Sequence, residues 1–331
     1  MTTTAEAPVA RSRGWRESPW TGFLLRRTGS FVFALWFVLT AVFFLTRAIG
    51  GDSVRAAAGL TVTPEYVAAR RAALGLDDPI LTQYWHFLVR IVHFDFGEST
   101  VSGQPVLASI LDRVPYTFQL GLYAFALAAI VSVPLGMWVA TRTQSGRNRA
   151  LDTGFNSVTG FFASVPDYLL AVGLVLVFSV GLGVFPAAGG AGPSAFVLPV
   201  LTVAFGPIAV ISRLVRVETS RVLQEDYIRT ARSNHLRPAT VLFRHVLPNV
   251  LTATLTYAGM LLAALLGGTV ITENVFAWPG IGSLLVKSLR LYDYPTVEGA
   301  VVITAATVLM INLLVDLLLA AVDPKSLIVR S

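Results

Sequence analysis

Three charged residues, Asp226, Arg229 and Arg232, recur at intervals of three in the C-terminal half of the chain. Residues three apart are neighbours on the surface of a helix, so two of these side chains can face one partner. They lie in an arginine-rich stretch, residues 216–248, which predicts a helix, a short helix around Asp226–Asn234, a turn and a further helix. The pattern indicates a charged surface that docks onto another protein.

Asp167 is the second residue with chemical potential, because it interrupts an apolar segment just after Ser164-Val165-Pro166. A carboxylate at the centre of a membrane span costs roughly 2.5–3.5 kcal/mol on insertion scales, so Asp167 is expected to face a bundle interior or a water-filled path. It could contact the positive amine of a transported solute there. A local hydrogen bond that stabilises the proline kink is the alternative.

Other reactive groups are sparse. The chain has no cysteine, which excludes disulfides and thiolate metal sites. His86 and His93 share a helix face but lie about 10 Å apart along it, so they are not expected to bind one metal ion. A Walker A loop needs glycine before its lysine, whereas Lys287 and Lys325 follow valine and proline. Neither H-E-x-x-H nor G-x-S-x-G occurs. We therefore expect no enzyme activity, metal site or cofactor in this chain, and any driving energy must come from another subunit.

The elements that carry these residues are apolar. The chain is 54% hydrophobic and only 13% charged, with a mean hydropathy of +0.68, and a soluble domain would carry about twice that charged fraction. A helix needs about 20 apolar residues to cross the hydrocarbon core. The sequence thus predicts an all-α integral membrane protein with six transmembrane helices, at residues 28–48, 117–140, 155–180, 196–215, 250–273 and 298–319.

Arginine residues predict the orientation. With six spans, most of them fall on one side of the membrane, in the tail 1–27, the second connection, the stretch 216–248 and the tail 320–331. The positive-inside rule then places both termini in the cytoplasm and residues 49–116 outside. The apolar core of the first span is too long for a cleaved signal peptide, and no small-x-small site follows it, so we expect an uncleaved anchor.

The predicted external segment, residues 49–116, has helical structure of its own. Thr63-Pro64-Glu65 is typical of a helix start and Gly75 of a helix stop. Asp78-Pro79 starts a second helix, which is expected to pack against the membrane surface or the spans. Its apolar stripe consists of Leu81, Tyr84, Trp85, Leu88, Ile91 and Val92. A compact structural cap and a ligand contact are both open roles for this segment.

Three partners can be considered for residues 216–248. A helix-turn-helix pattern with arginines suggests DNA, but tethering to the bilayer at both ends leaves a recognition helix little reach, so we expect no nucleic acid. Anionic lipid is a simpler partner for the basic face. Docking onto a cytoplasmic protein is the interpretation that we favour.

Residues 226–248 resemble the EAA loop of ABC-importer permeases, in which E-A-A is followed after three residues by glycine and after nine more by I-x-L-P. Arg229, Thr230 and Ala231 stand at the E-A-A sites, and His235 stands at the glycine site. Glycine would permit a positive φ there, which histidine adopts only at some cost. The resemblance implies a loop that couples the chain to an ATPase, formed by Glu225, Asp226, Tyr227, Arg229, Thr230, Ala231, Arg232, His235, Leu236, Leu247 and Pro248.

Other stretches resemble the same family in the same order. Residues 74–79 and 95–99 are similar to the external segment of its B-type peptide permeases, and Gly50-Gly51-Asp52 stands where the family has Pro-Gly-Asp. Glu273–Gly282, followed by Asp293-Tyr294-Pro295, is similar to the signature around spans five and six. Asp323-Pro324-Lys325 resembles the C-terminal ending. The long segment after span one indicates the B-type rather than the C-type subunit.

The resemblance implies a MetI-like transmembrane fold in the bacterial inner membrane and an importer of dipeptides, oligopeptides or nickel. It also implies a C-type permease as heterodimer partner, two cytoplasmic ATPases that bind ATP and Mg, and an external solute-binding protein. In this scheme the helix Glu225–Leu236 sits in a groove on an ATPase and moves as a rigid lever on spans four and five, while Ala231 keeps the contact face small. A secondary transporter or channel that works alone is the second function class. Such proteins commonly carry charges in several spans, whereas here only Asp167 is clearly central.

Overall fold

The computed structural model describes residues 19–49, 55, 63–73, 75–189 and 192–322, and all regular elements in these ranges are helical. The predictions for Gly50-Gly51-Asp52, for Asp323-Pro324-Lys325 and for most of the N-terminal tail lie outside the described residues. The helices are α1 (Pro19–Ile49), α2 (Pro64–Ala73), α3 (Ile80–Val92), α4 (Val106–Leu111), α5 (Val114–Thr143), α6 (Arg149–Ser164), α7 (Asp167–Leu174, continued as a π-helix over Val175–Gly181), α8 (Ser194–Val222), α9 (Asp226–Ser233), α10 (Leu247–Gly268), α11 (Val270–Val275), α12 (Ile281–Arg290) and α13 (Tyr294–Val322).

Five helical stretches are long and apolar enough to cross a membrane, and a bent pair of helices adds a sixth if it forms one span. The all-helical membrane fold predicted from the sequence is therefore confirmed. The stretches are Thr21–Ile49, Val106–Gly146, Ser194–Val222, Tyr257–Val275 and Tyr294–Leu318, with the pair Arg149–Ser164 and Asp167–Gly181. Several helices run beyond the apolar segments, and the exact span boundaries stay predictions.

The third predicted span, residues 155–180, is not one continuous helix. It consists of α6 and α7, which meet at an angle of 100°. Val165 is extended, with φ −74° and ψ 123°, because the ring of Pro166 excludes the helical conformation from the residue before it. Asp167 is consequently the first residue of α7 rather than a residue midway along a helix.

The core is built around α5 and α8, which form the most extensive helix–helix contact among the described elements. Gly136 of α5 lies against the backbone oxygen of Ser212 and the side chain of Val215, so any Cβ atom at this position would overlap them. The two helices therefore approach more closely at Gly136 than larger residues allow.

Helices α1 and α13 also pack along each other, and an ion pair joins them near each end. Arg27 lies 2.8 Å from Asp316, and Arg47 lies 2.7 Å from Glu298. The first pair links the beginning of α1 to the end of α13. The second pair links the end of α1 to the beginning of α13.

The start and end of α2 and the start of α3 lie where the local sequence predicts them, whereas α4 was not predicted. Helix α2 starts at Pro64, and Gly75 follows its end with a φ of +65°. Helix α3 begins after Pro79 and packs on α1 through Tyr84 and Phe87, whose rings lie 5.2 and 5.4 Å from that of Phe43.

The loop that follows α3 is attached to the start of α13 through Asp293. The hydroxyl of Ser99 donates a 2.6 Å hydrogen bond to the Asp293 carboxylate, and the backbone N–H of Thr100 donates a second of 2.9 Å.

A buried carboxylate organises the turn between α11 and α12. Glu273 is fully buried, and its Oε1 accepts hydrogen bonds from the hydroxyls of Thr117 (2.8 Å) and Thr269 (2.9 Å). Its Oε2 accepts from the backbone N–H of Ser283, in the first turn of α12, at 3.0 Å. Two hydroxyl donors and a helix N-terminus thus satisfy a charge that would otherwise be costly to bury.

Candidate coupling loop and translocation path

The short charged helix α9 is attached to the rest of the protein by two apolar residues. Ile228 is fully buried and Ala231 is 8% exposed, and both belong to one apolar cluster. The other buried members come from α5, from α8 and the residue after it, from the segment Val241–Val246 that follows α9, and from α10. They are Met137, Ile211, Val215, Val222, Leu223, Val241, Val246 and Val250. Helix α9 packs on the segment Val241–Val246, and the cluster that contains both also includes residues of the predicted second, fourth and fifth spans.

The opposite face of α9 is open to solvent. Asp226 and Arg229 form an ion pair of 3.2 Å, and their side chains are 93% and 76% exposed. An exposed ion pair of this kind stabilises a protein by less than about 1 kcal/mol. The pair can therefore separate at little cost, and each side chain can bind a group on a partner instead. Tyr227 and Thr230 are exposed beside them.

Arg232 contacts a second loop. Its guanidinium donates a 3.4 Å hydrogen bond to the side-chain oxygen of Gln144, in the turn between α5 and α6. An ion pair between Arg216 of α8 and Asp152 of α6 lies close to the same end of the bundle. These contacts bring the α5–α6 turn and the loop around α9 to one end of the molecule.

The side chain of Ala231 belongs to the apolar cluster and lies away from the open face, and its role in contact with a partner stays a prediction. A small residue at this position instead lets α9 lie close to the protein beneath it. The charge spacing predicted the outer face correctly, but the position of Ile228, three residues before Ala231, was the signal for the inner face.

His235 ends α9 in the left-handed conformation expected of the glycine position, with a φ of 54°. The backbone N–H of His235 bonds to the oxygen of Arg232 at 3.0 Å, and that of Leu236 bonds to the oxygen of Ala231 at 3.4 Å. This pair of hydrogen bonds is the Schellman arrangement that closes many helices. Leu236 itself is 40% exposed.

The chain returns to the bundle through a π-helical turn, Val241–Val246, which joins α10 at Leu247 and Pro248. Proline cannot donate a backbone hydrogen bond, and its ring clashes with the carbonyl four residues earlier in a regular helix. A wider π turn before Pro248 relieves both constraints. Leu247 packs against the apolar cluster, whereas Pro248 is exposed. Glu225, at the other end of the loop, is exposed and precedes α9 in an extended conformation.

Asp167 lies far along the chain from this loop, at the break between α6 and α7. Its side chain is exposed, and in the described part of the chain it forms neither a hydrogen bond nor an ion pair. The local hydrogen bond considered from the sequence is therefore not formed at the kink. The following residues, Tyr168 and Leu169, are 49% and 51% exposed, so this side of the break is open in the single chain.

In the described ranges, no group of three histidine or acidic side chains is placed to hold a metal ion. The sequence interpretation did not single out Gln144, Ile228 or the hydrogen-bonding role of Glu273. Arg232, the partner of Gln144, and Thr117, one of the partners of Glu273, lie 88 and 156 residues away in the chain, beyond the reach of local patterns.

Comparisons with known proteins agree with this architecture. Residues 132–327 match the family described as "Binding-protein-dependent transport system inner membrane component", and residues 21–121 match the N-terminal family of the same transport-system components. A putative peptide transport system permease protein of Brucella abortus is 35% identical over 92% of this chain and 98% of its own length.

Two further relatives are glutathione transport system permease proteins named GsiC. The protein from Pectobacterium atrosepticum is 36% identical, and that from Escherichia coli K12 is 34% identical, each over 91% of this chain and 97% of its own length. Among solved structures, a chain of the inward-facing MetNI methionine ABC transporter aligns with a TM-score of 0.57 at 19% identity, over 66% of this chain and 98% of that chain. That likeness concerns the fold. The family match over more than half of the sequence shows that this chain belongs to the family of binding-protein-dependent transport system inner membrane components.

Proposed function

We propose that this chain is a permease subunit of an ATP-driven importer of peptides. It forms the translocation path with a second, C-type permease, receives solute from an extracytoplasmic binding protein and is driven by two cytoplasmic ATPases, which bind ATP and Mg. The names of its relatives support peptides, including the tripeptide glutathione, as the substrate class. Nickel or another small solute is the alternative cargo.

The proposed orientation places both termini in the cytoplasm of the inner membrane and residues 49–116 outside. Two sets of contacts support it. Arg27 with Asp316, and Arg232 with Gln144, join elements assigned to the cytoplasmic side. Contacts at the other end join elements assigned to the outside, such as that of Ser99 with Asp293. Each contact joins two segments of the same assigned side, as a six-span topology requires.

The observation that carries the coupling proposal is the two-sided construction of α9. Its inner residues Ile228 and Ala231 belong to an apolar cluster that also includes residues of three spans, while Asp226 and Arg229 remain exposed. In our proposal, closure of the ATPases on ATP displaces the outer face of α9. The apolar cluster passes that displacement to α8 and α10, and their movement switches access from outside to inside.

Asp167 is our candidate for a charged group along the path. Its carboxylate is exposed in the single chain and has no partner in the described residues. Because a lone carboxylate facing lipid is costly, we propose that this side of the α6–α7 break faces water and the second permease. A carboxylate there can bind the amino group of a peptide.

The test of the assembly is a tagged pull-down of the chain from gently solubilised native membranes, followed by mass spectrometry and an ATPase assay. We expect a second permease and two P-loop ATPases to be recovered. A chain with Arg229→Glu and Arg232→Glu is expected to retain the permease partner and lose the ATPases.

Arg147→Glu provides the matched control, because Arg147 is exposed in the neighbouring α5–α6 turn and lies outside α9. This control is expected to retain both partners. Recovery of the chain alone under several mild conditions, without ATPase activity, would instead favour a transporter that works by itself.

A further inference from the structure

Helix α3 carries an apolar surface that the protein does not cover. Tyr84, Phe87, Leu88 and Ile91 pack against α1 and α13, and they use one part of its apolar face. The remaining part consists of Leu81, Trp85, Val89 and Val92, with exposed fractions of 73%, 64%, 39% and 75%. We refer to these four residues as the outer arc. At about 100° per residue, the outer arc spans about 80° of the helix surface and adjoins the packed face.

Contacts with α1 show how α3 lies relative to the membrane span. Gln83 bonds to Arg47 at 3.3 Å, Phe87 lies against Phe43, and the hydroxyl of Tyr84 is 2.7 Å from that of Thr40. The ring of Tyr84 also contacts Phe43 and Phe44, and only its hydroxyl reaches Thr40. From Arg47 to Thr40, the contacts on α1 extend about 10 Å inward from the end of the span. The side of α3 that carries Tyr84 is therefore the side nearest the bilayer centre.

The outer arc begins next to Tyr84 on the helix surface and continues away from α1. It therefore lies at about the membrane depth of Tyr84 and does not face the aqueous phase beyond the end of α1. The polar residues of α3, among them His86 and Arg90, occupy the opposite side and are exposed. This separation of an apolar and a polar side is typical of a helix that lies in a membrane interface.

The surface beneath α3 is itself an exposed stripe of the first span. Thr40 and Phe44 continue at four-residue intervals from Trp36, and Trp36 and Phe37 are 47% and 61% exposed. Phe44 and Tyr84 are in ring contact at 5.8 Å. The outer arc and the apolar stripe of α1 thus form one continuous surface.

From this continuity we propose that α3 is an interfacial helix whose outer arc is embedded in lipid of the leaflet next to Ile49, with the indole of Trp85 at headgroup level. Tryptophan is enriched at this depth because its ring is apolar and its N–H is polar. The proposal depends on α1 crossing the membrane, which its length and hydropathy support. It does not depend on the cargo, on the ATPases or on which compartment faces Ile49.

The chain has no cysteine, so single cysteines can be introduced without removing others. Leu81→Cys and Val92→Cys sample the two ends of the outer arc, and His86→Cys and Arg90→Cys sample the polar side. Each chain is assembled with its native partners, spin-labelled, and placed in nanodiscs of phosphatidylcholine and phosphatidylglycerol. Collision rates with oxygen, which concentrates in lipid, are compared with those of a water-soluble nickel chelate.

We expect labels at residues 81 and 92 to show an oxygen-to-nickel collision ratio several-fold higher than labels at 86 and 90. Equal ratios at all four positions would overturn the proposal, because the outer arc would then face water. Shielding of residues 81 and 92 from both reagents would also overturn it, since a protein would cover the arc. Either of these two positions decides the test if the other substitution prevents assembly. A failed pull-down of the ATPases would leave these expectations unchanged.

Discussion

The hydroxyl of Thr117 donates a 2.8 Å hydrogen bond to the buried carboxylate of Glu273, although 156 residues separate the two in the chain. The same hydroxyl accepts a 2.9 Å hydrogen bond from the backbone N–H of Ile281. Thr117 therefore connects the start of α5 to both ends of the turn between α11 and α12.

Replacing Glu273 by glutamine tests the importance of its charge. The amide has nearly the same shape, but its NH₂ group cannot accept the hydrogen bond from Ser283 while its oxygen accepts those of the two threonines. We expect Glu273→Gln to lower stability by about 1–3 kcal/mol, measured as a lower midpoint of thermal unfolding in detergent. Glu65→Gln, at an exposed position of α2, should leave the midpoint unchanged. An unaltered midpoint for Glu273→Gln would show that the charge is dispensable.

Gly280 leaves room for the same carboxylate. A Cβ atom on residue 280 would overlap the carboxyl group of Glu273, although the φ of −91° is open to any residue. Overpacking of this kind costs about 1–3 kcal/mol, so Gly280→Ala is expected to reduce thermal stability and folded yield. Gly154→Ala is the matched control, since no atom lies within 4 Å of its added Cβ, and in a helix it should stabilise the protein by up to about 1 kcal/mol. If both alanine variants behaved alike, the steric explanation would fail.

The turn at His235 permits a prediction from its backbone. A non-glycine residue in the left-handed region costs about 1–2 kcal/mol, and a β-branched side chain makes this conformation still less favourable. We expect His235→Gly to retain thermal stability and recovery of the ATPases in the pull-down. His235→Val is expected to reduce both. A valine variant with normal stability and ATPase recovery would show that the turn does not need a positive φ.

Asp167 is tested by uptake. If its carboxylate binds the amine of a peptide, Asp167→Asn should raise the peptide concentration needed for half-maximal uptake several-fold at unchanged expression. Asp112→Asn, at an exposed position after α4, controls for the loss of one negative charge. Unchanged uptake of every peptide by Asp167→Asn would remove this residue from the translocation path.

The sequence predicted the end of a helix well where the residues that determine it lie within one helical turn. Thr63-Pro64 and Gly75 predicted the two ends of α2, because an N1 proline and a glycine with positive φ act within one turn. The conformation of His235 was left open by the sequence, because histidine at a glycine position adopts a positive φ only at some cost; the structure has it at φ 54°. Pro166 indicated a kink, but steric exclusion of one residue from the helix does not determine a bend of 100°, which depends on the packing of α6 and α7.

Other features depend on contacts between distant segments. The burial of Ala231 was not predicted, because the charged residues of α9 were considered without the apolar cluster that contains Ile228. In the sequence, Glu273 is one charged residue at the end of a predicted span. Its role becomes visible only in the structure, where the hydroxyl of Thr117 donates a hydrogen bond to it. The apolar stripe of α3 was predicted, but its division into a packed face and the outer arc follows from the position of α1.

The close approach at Gly136 has a mechanical consequence. Because Gly136 has no side chain, the backbone of α5 lies directly against the backbone of Ser212 and the side chain of Val215, and sliding or rolling at this point would cause collisions with both. This contact restricts the relative movement of α5 and α8 at Gly136, so we expect the movements of a transport cycle to occur at other helix contacts. Spectroscopic distance measurements during turnover should find a constant distance between α5 and α8 near Gly136. Distances between helices that pack less closely should vary.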